Sequence, residues 1–133
     1  MIDASVLVKW YIQEADSDKA FVLRDKHVNG EIQLSAPALI SYETMNALRY
    51  SNLFSREQLK DIALSILNYD LNLYGFNEKI AEFTLEASLK NDITVYDGSY
   101  LALAKNLGVE FFTADQKLMG RLIGEYAKIA RRL

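Results

Sequence analysis

Four acidic residues stand where a carboxylate could do chemistry. Asp3 and Asp115 each follow a short apolar run that reads as a strand and each precedes a helical pattern. In open parallel sheets that junction, the carboxyl end of a strand, is where sites form. Asp97 lies three residues after Thr94, which can cap the helix that continues through Leu101-Ala102-Leu103-Ala104. Glu43 falls in a helix with Leu39, Ile40 and Ala47 one turn away, on or beside the apolar stripe. Each acid also has a plain structural role open to it. Asp3, Asp97 and Asp115 can be helix caps, and Glu43 can reach solvent from the stripe's edge.

Together the four mean more. Gathered at one sheet edge they would repel one another and titrate as a coupled group. Lys117, two residues after Asp115, is the basic residue nearest to them in sequence. The economical neutraliser is a divalent cation, and an all-oxygen ligand set without His or Cys selects Mg²⁺ or Mn²⁺. Such a site suits phosphodiester hydrolysis. One ion acidifies a bound water, and the same or a second ion, ~3.5–4 Å away in two-ion sites, stabilises the leaving oxygen. A carboxylate holds the attacking water and accepts its proton. Ser5 can orient Asp3, Thr113 can hydrogen-bond across the same site, and Asn46 can support Glu43.

The elements that must position these residues alternate. Only Met1 and Ile2 precede Asp3, short for a central strand, so the natural first strand is expected to begin earlier. A helix is expected over 16–29, closed by Gly30, with Ala20, Phe21, Leu23 and Val28 inward. A strand over 32–36 is stopped by Pro37, the only proline. Helices over 38–50 and 56–69 make a hairpin, the second opened by the capping box Ser55-Arg56-Glu57-Gln58 and carrying the stripe Leu59, Ile62, Ala63, Ile66 and Leu67. A short strand over 71–75 leads to a helix through Lys90, capped by Asn77, with Leu85 among its inward residues. The Asp97 helix runs to Asn106, with Gly108 as its stop. A strand over 109–113, a helix over 116–124 and a last short strand over 127–132 complete the chain. The alternation predicts an α/β fold with a mainly parallel central sheet flanked by helices.

Composition removes several alternatives. The chain has 133 residues, half of them hydrophobic, which fits one domain over residues 1–133. There is no cysteine, hence no disulfide, thiol nucleophile or zinc thiolate site. The single histidine, His27, lies in a polar helical stretch and reads as a surface residue, which removes multi-histidine metal centres and histidine-paired acid–base hydrolases. No Gly-rich phosphate loop, signal peptide or membrane-length apolar run is present, and a soluble cytoplasmic protein is expected. Net charge is −3, yet Lys117, Arg121, Lys128, Arg131 and Arg132 cluster near the end, with Glu125 the one acidic side chain among them.

The run Ile2-Asp3-Ala4-Ser5-Val6-Leu7-Val8, then Glu43, then Tyr96-Asp97-Gly98-Ser99-Tyr100-Leu101-Ala102-Leu103-Ala104, then Phe112-Thr113-Ala114-Asp115, resembles the PIN domain family, most of all its VapC-type toxin ribonucleases. The order and spacing of the four acids plus Thr113 make the resemblance specific, and it spans essentially the whole chain. It implies a PIN-like three-layer fold and a Mg²⁺- or Mn²⁺-dependent endoribonuclease, usually a homodimer, silenced by a cognate antitoxin that blocks the acidic pocket. By the same resemblance Asp3, Glu43, Asp97 and Asp115 are the metal-binding and catalytic acids, with Ser5 and Thr113 orienting ligands or water. The departure is the short start before Asp3. Two other readings are open: a non-catalytic PIN-fold module that binds RNA or protein, and a phosphatase using Asp3 as nucleophile. The second is disfavoured because such enzymes usually place another Asp two residues on, where this chain has Ser5.

Overall fold

A computed structural model describes all residues, Met1–Leu133. Its strands are short and parallel. β1 (Ser35–Pro37) pairs with β2 (Asn72–Tyr74), Ser35 opposite Asn72. β3 (Phe111–Thr113) pairs with β4 (Ala130–Arg132), Thr113 opposite Arg132. Residues 1–2 join the two pairs. Ile2 donates its amide to Ser35 O at 3.1 Å, Phe112 donates to Met1 O at 2.9 Å, and Ile2 and Phe112 form a parallel bridge. Two residues therefore stand in for the central strand, and Ile2 is fully buried there. Asp3 and the Thr113–Asp115 segment leave the sheet on the same edge.

Eight helices surround it in a three-layer α/β arrangement. α1 (Ala4–Val8) packs on β3 and on α3 (Ile40–Tyr50), and α2 (Ser17–Val28) lies beside α1. α3 and α4 (Arg56–Asn68) form the expected hairpin, and both halves of the Ser55–Gln58 capping box are made. α5 (Glu78–Asn91), capped by Asn77, packs along α6 (Val95–Leu107), capped by Thr94 and ended by Gly108 in a left-handed conformation. α7 (Gln116–Arg121) and α8 (Gly124–Ile129) precede β4. Every residue of α6 from Gly98 to Ala104 is buried, so this helix is the wall on which the core assembles. Ile2, Val6, Leu7, Ile40, Leu101, Leu103 and Phe111 fill the centre, each contributing ~1.5–3 kcal/mol by burial. Gly98 permits the contact: a Cβ there would lie 2.1 Å from Ser88 Oγ and 2.8 Å from Thr84 O.

Several local expectations are corrected. Pro37 ends β1 rather than stopping it short, because the ladder continues through Ala38 N to Tyr74 O at 2.8 Å. The last strand begins only at Ala130, since α8 occupies the residues before it. Val28, Leu67 and Leu85 are exposed, not inward. Leu67 lines an open groove of about 950 Å³ between α3 and α4 with Met45, Phe54 and Leu59, so that apolar stripe is only partly covered. His27 is buried, not on the surface. Its Nε2 lies 2.8 Å from Tyr69 O and its Nδ1 3.4 Å from the Leu34 amide, so a neutral ring donating through Nε2 satisfies both. No helix is long and apolar enough to cross a membrane.

Candidate functional site

Asp3 follows the two-residue central segment and caps α1. Its Oδ1 accepts from the Ser5 hydroxyl at 2.6 Å and the Val6 amide at 3.1 Å. Ser5 Oγ in turn accepts from the Ala114 amide at 2.8 Å and lies 3.4 Å from Thr113 Oγ1. Thr113 Oγ1 accepts from the Asp115 amide at 3.0 Å. This chain of contacts ties the end of the first segment to the end of β3, as parallel pairing of Ile2 with Phe112 requires. Asp115 caps α7, its Oδ1 accepting from Lys117 N at 2.8 Å and Leu118 N at 3.0 Å.

The other two acids enter from helices. The Asp97 amide donates to Thr94 Oγ1 at 3.0 Å, and that hydroxyl donates back to Asp97 Oδ2 at 2.7 Å. The Asp97 carboxylate therefore bonds a hydroxyl rather than capping a first-turn amide itself. Glu43 projects from the first turn of α3, and its Oε2 accepts from the Tyr100 hydroxyl. Asn46 makes no hydrogen bond to Glu43. It is exposed and lines the α3–α4 groove. Tyr100 is the partner that sequence reading missed. Its only signal was a tyrosine inside an apolar helical run, where a buried hydroxyl needs an acceptor.

In each of the four carboxylates a single oxygen carries all of the chain's hydrogen bonds. The bonds orient each side chain and leave its second oxygen available. None of the chain's ion pairs includes any of the four acids. Burial pushes the Asp3 carboxyl up to about 6, against the Ser5 and Val6 hydrogen bonds and the nearby Thr113 hydroxyl, with the Asp115 charge adding to the rise. Burial likewise raises Glu43, with Asp97 and Asp3 adding and the Tyr100 bond opposing. Burial and the bond to Glu43 push the Tyr100 hydroxyl far above its ordinary range. The acids therefore feel one another's charge. As the side chains stand, no three of them form a preassembled metal cage. The donor chemistry nonetheless fits a hard divalent cation: oxygen only, mutually repelling, unpaired, and one oxygen free on each.

The PIN domain family's sequence profile matches residues 1–122. The chain belongs to the PIN domain family. Among its PIN relatives is Ribonuclease VapC3 of Pyrobaculum aerophilum, 25% identical over 123 residues that cover 89% of this chain and 90% of the relative. Ribonuclease VapC1 of Mycobacterium tuberculosis is 36% identical over 88 residues, 63% of this chain and 64% of the relative. The fold matches the crystal structure of PAE2754 from Pyrobaculum aerophilum with a TM-score of 0.64 at 21% identity, over 92% of this chain and 78% of that one. A toxin-antitoxin complex from Klebsiella pneumoniae matches with a TM-score of 0.64 at 16% identity, over 87% of this chain and 86% of that one.

Proposed function

We propose that this PIN domain is a divalent-metal-dependent endoribonuclease and the toxin of a toxin–antitoxin pair. The observation that carries the chemistry is the set of four carboxylates, each held through one oxygen and each without a cationic partner. Two relatives named ribonucleases and a structural neighbour that is a toxin-antitoxin complex support the activity and the partner class. Asp3, Glu43, Asp97 and Asp115 would hold Mg²⁺ or Mn²⁺, with Ser5 and Thr113 fixing Asp3. When bound, such an ion acidifies a water and stabilises charge on the leaving oxygen.

The chain's own part is to place and to accept. The Ser5 hydroxyl and the Val6 amide fix the Asp3 carboxylate, and Tyr100 fixes Glu43, so little reorganisation is needed when RNA arrives. Asp3 is buried, Glu43 and Asp97 are half-buried and Asp115 is exposed, so the last three face the approach of solvent and substrate. One carboxylate takes the proton of the attacking water as its oxygen bonds to phosphorus. The bond from phosphorus to the departing ribose oxygen breaks, and that oxygen gains a proton. A cognate antitoxin would silence the protein by covering this edge. Exposed Tyr42, Tyr50 and Leu67 provide apolar surface for a homodimer or that partner.

The test is RNA incubation with the purified protein in Mg²⁺, in Mn²⁺ and in EDTA. Internal cleavage with either metal and none in EDTA is expected. Magnesium binding without any cleavage would favour a non-catalytic PIN-fold module instead.

A further inference from the structure

Beside the acid site lies a second cleft, of about 400 Å³, lined by Ser5, Val8, Lys9, Glu14, Ala47 and Ala114. It shares a wall with the site already described, since Ser5 Oγ joins Asp3 on one side and Ala114 on the other. Lys9 stands one turn after Ser5 and is the single basic residue in its lining. Its side chain is only 8% exposed, and its one protein acceptor is Glu14 Oε1 at 2.8 Å, on a side chain that is 46% exposed. An ammonium carries three donors, and a buried one with a single acceptor has capacity for another anionic oxygen. Two residues after Glu14 in the chain, Asp16 is held below the usual carboxylate range, mostly by its bond to Lys19, with the charges of Arg132 and Lys9 adding. Arg132 sits in register with Thr113 on the neighbouring strand.

A polyanion approaching the four carboxylates of the proposed site needs a cation close by for the phosphates that are not being cleaved. We propose that the Lys9 cleft binds the phosphate adjacent to the scissile one, with Glu14 as the resident counter-ion that keeps the lysine in place until RNA arrives. This rests on the ribonuclease reading above and adds the subsite through which that site would take its substrate. The contact is to backbone, so it adds affinity without sequence preference. Glu14, being half exposed, can turn to solvent as a phosphate oxygen takes its position.

The experiment measures binding of a fluorescein-labelled, ribose-methylated single-stranded RNA by anisotropy in Mg²⁺ across a salt series. Lys9→Gln should weaken binding several-fold at low salt and flatten the log–log salt slope by about 0.7, the loss of one phosphate contact on a single strand. Lys9→Arg should keep the slope. Glu14→Gln should tighten binding. Wild-type affinity and slope in both Lys9→Gln and Glu14→Gln would overturn the subsite and leave Lys9–Glu14 a structural pair. Should Lys9→Gln fail to fold, Glu14→Gln decides alone, and unchanged or weaker binding refutes the proposal. Wild-type protein that neither binds nor cleaves RNA would remove the ribonuclease reading itself, and the subsite with it. Wild-type cleavage without the Lys9 and Glu14 effects removes only the subsite.

Discussion

The Tyr100 hydroxyl, on the buried helix α6, donates to Glu43 Oε2 on α3. One turn before it on the same helix is Asp97, so α6 both carries one acid of the proposed site and orients another. Partners that orient a metal-ligating group typically matter 10–100-fold in metal affinity or activity when lost. Tyr100→Phe, which keeps the ring packed at 6.1 Å from Phe111, should therefore lower Mn²⁺ affinity and RNA cleavage by roughly that factor. Calorimetric titration with Mn²⁺ and initial cleavage rates check it. Wild-type affinity in Tyr100→Phe would remove the tyrosine from the site.

A pH effect follows from Asp3. Its carboxyl titrates near 6 in the folded chain, above its ordinary value of 3.8, because burial disfavours the charge. An acid whose folded value is raised contributes stability below the unfolded value and loses it as pH rises through the folded one. Between about pH 4 and 6 the metal-free protein should thus gain on acidification, by ~2–3 kcal/mol from Asp3 alone, with Glu43 acting in the same direction. Asp16 and Glu125, held low by their lysine partners, act oppositely, with the Glu125 loss starting near pH 4.5 at the acid end of that window and the Asp16 loss below it. Melting temperatures in EDTA should rise from pH 7 to 5 in wild type and stay flatter in Asp3→Asn. The same protonation should weaken Mg²⁺ binding below pH 6.

Gly98 lets α6 approach α5. Gly98→Ala places a methyl group against Ser88 Oγ and the Thr84 carbonyl, and the carbonyl is backbone that cannot swing away. Overpacking of this kind costs ~1–3 kcal/mol. Urea unfolding should show that loss. Activity should fall too, because displacement of α6 moves Asp97 and Tyr100. An unshifted midpoint would mean the two helices separate freely.

His27 ties α2 to the Tyr69 carbonyl and the Leu34 amide from inside the fold. His27→Ala leaves those groups without their partner and should destabilise by ~1–3 kcal/mol, read from urea melts, while the cleavage rate of the folded fraction stays at the wild-type level. A neutral effect on stability would mean water replaces the ring.

What the sequence disclosed was local. Thr94 with Asp97, Ser55 with Gln58, and Asp115 before a helical turn are signals spanning a few residues, and each cap forms as the spacing required. The positions of Asp3, Asp97 and Asp115 were legible for the same reason, since they stand where strands end or helices start, whereas Glu43 showed only as an acid beside an apolar stripe. Partnerships across the fold were not legible. Tyr100 and Glu43 are 57 residues apart, and within an apolar helix the tyrosine reads as core alone. His27 is flanked by polar residues, so its stretch reads as solvated, yet its partners come from two other segments. Asn46 is one turn beyond Glu43, but the helix turns it toward the α3–α4 groove. Lys9 lies between Val8 and Trp10, and its burial shows only when α3 and the Ala114 turn close around it. Residues 1–2 pair on both sides and so hold the central position of the sheet, a placement that depends on partners far away in the chain.

The central claim is that separately positioned carboxylates make one site for a hard divalent cation. Calorimetric titration of the metal-free protein with Mg²⁺, beside Asp97→Asn and Asp3→Asn variants of unchanged circular dichroism, tests it most directly. Saturable binding in wild type that weakens at least tenfold in both variants is the predicted result. No binding in wild type, or equal binding in all three proteins, would contradict it.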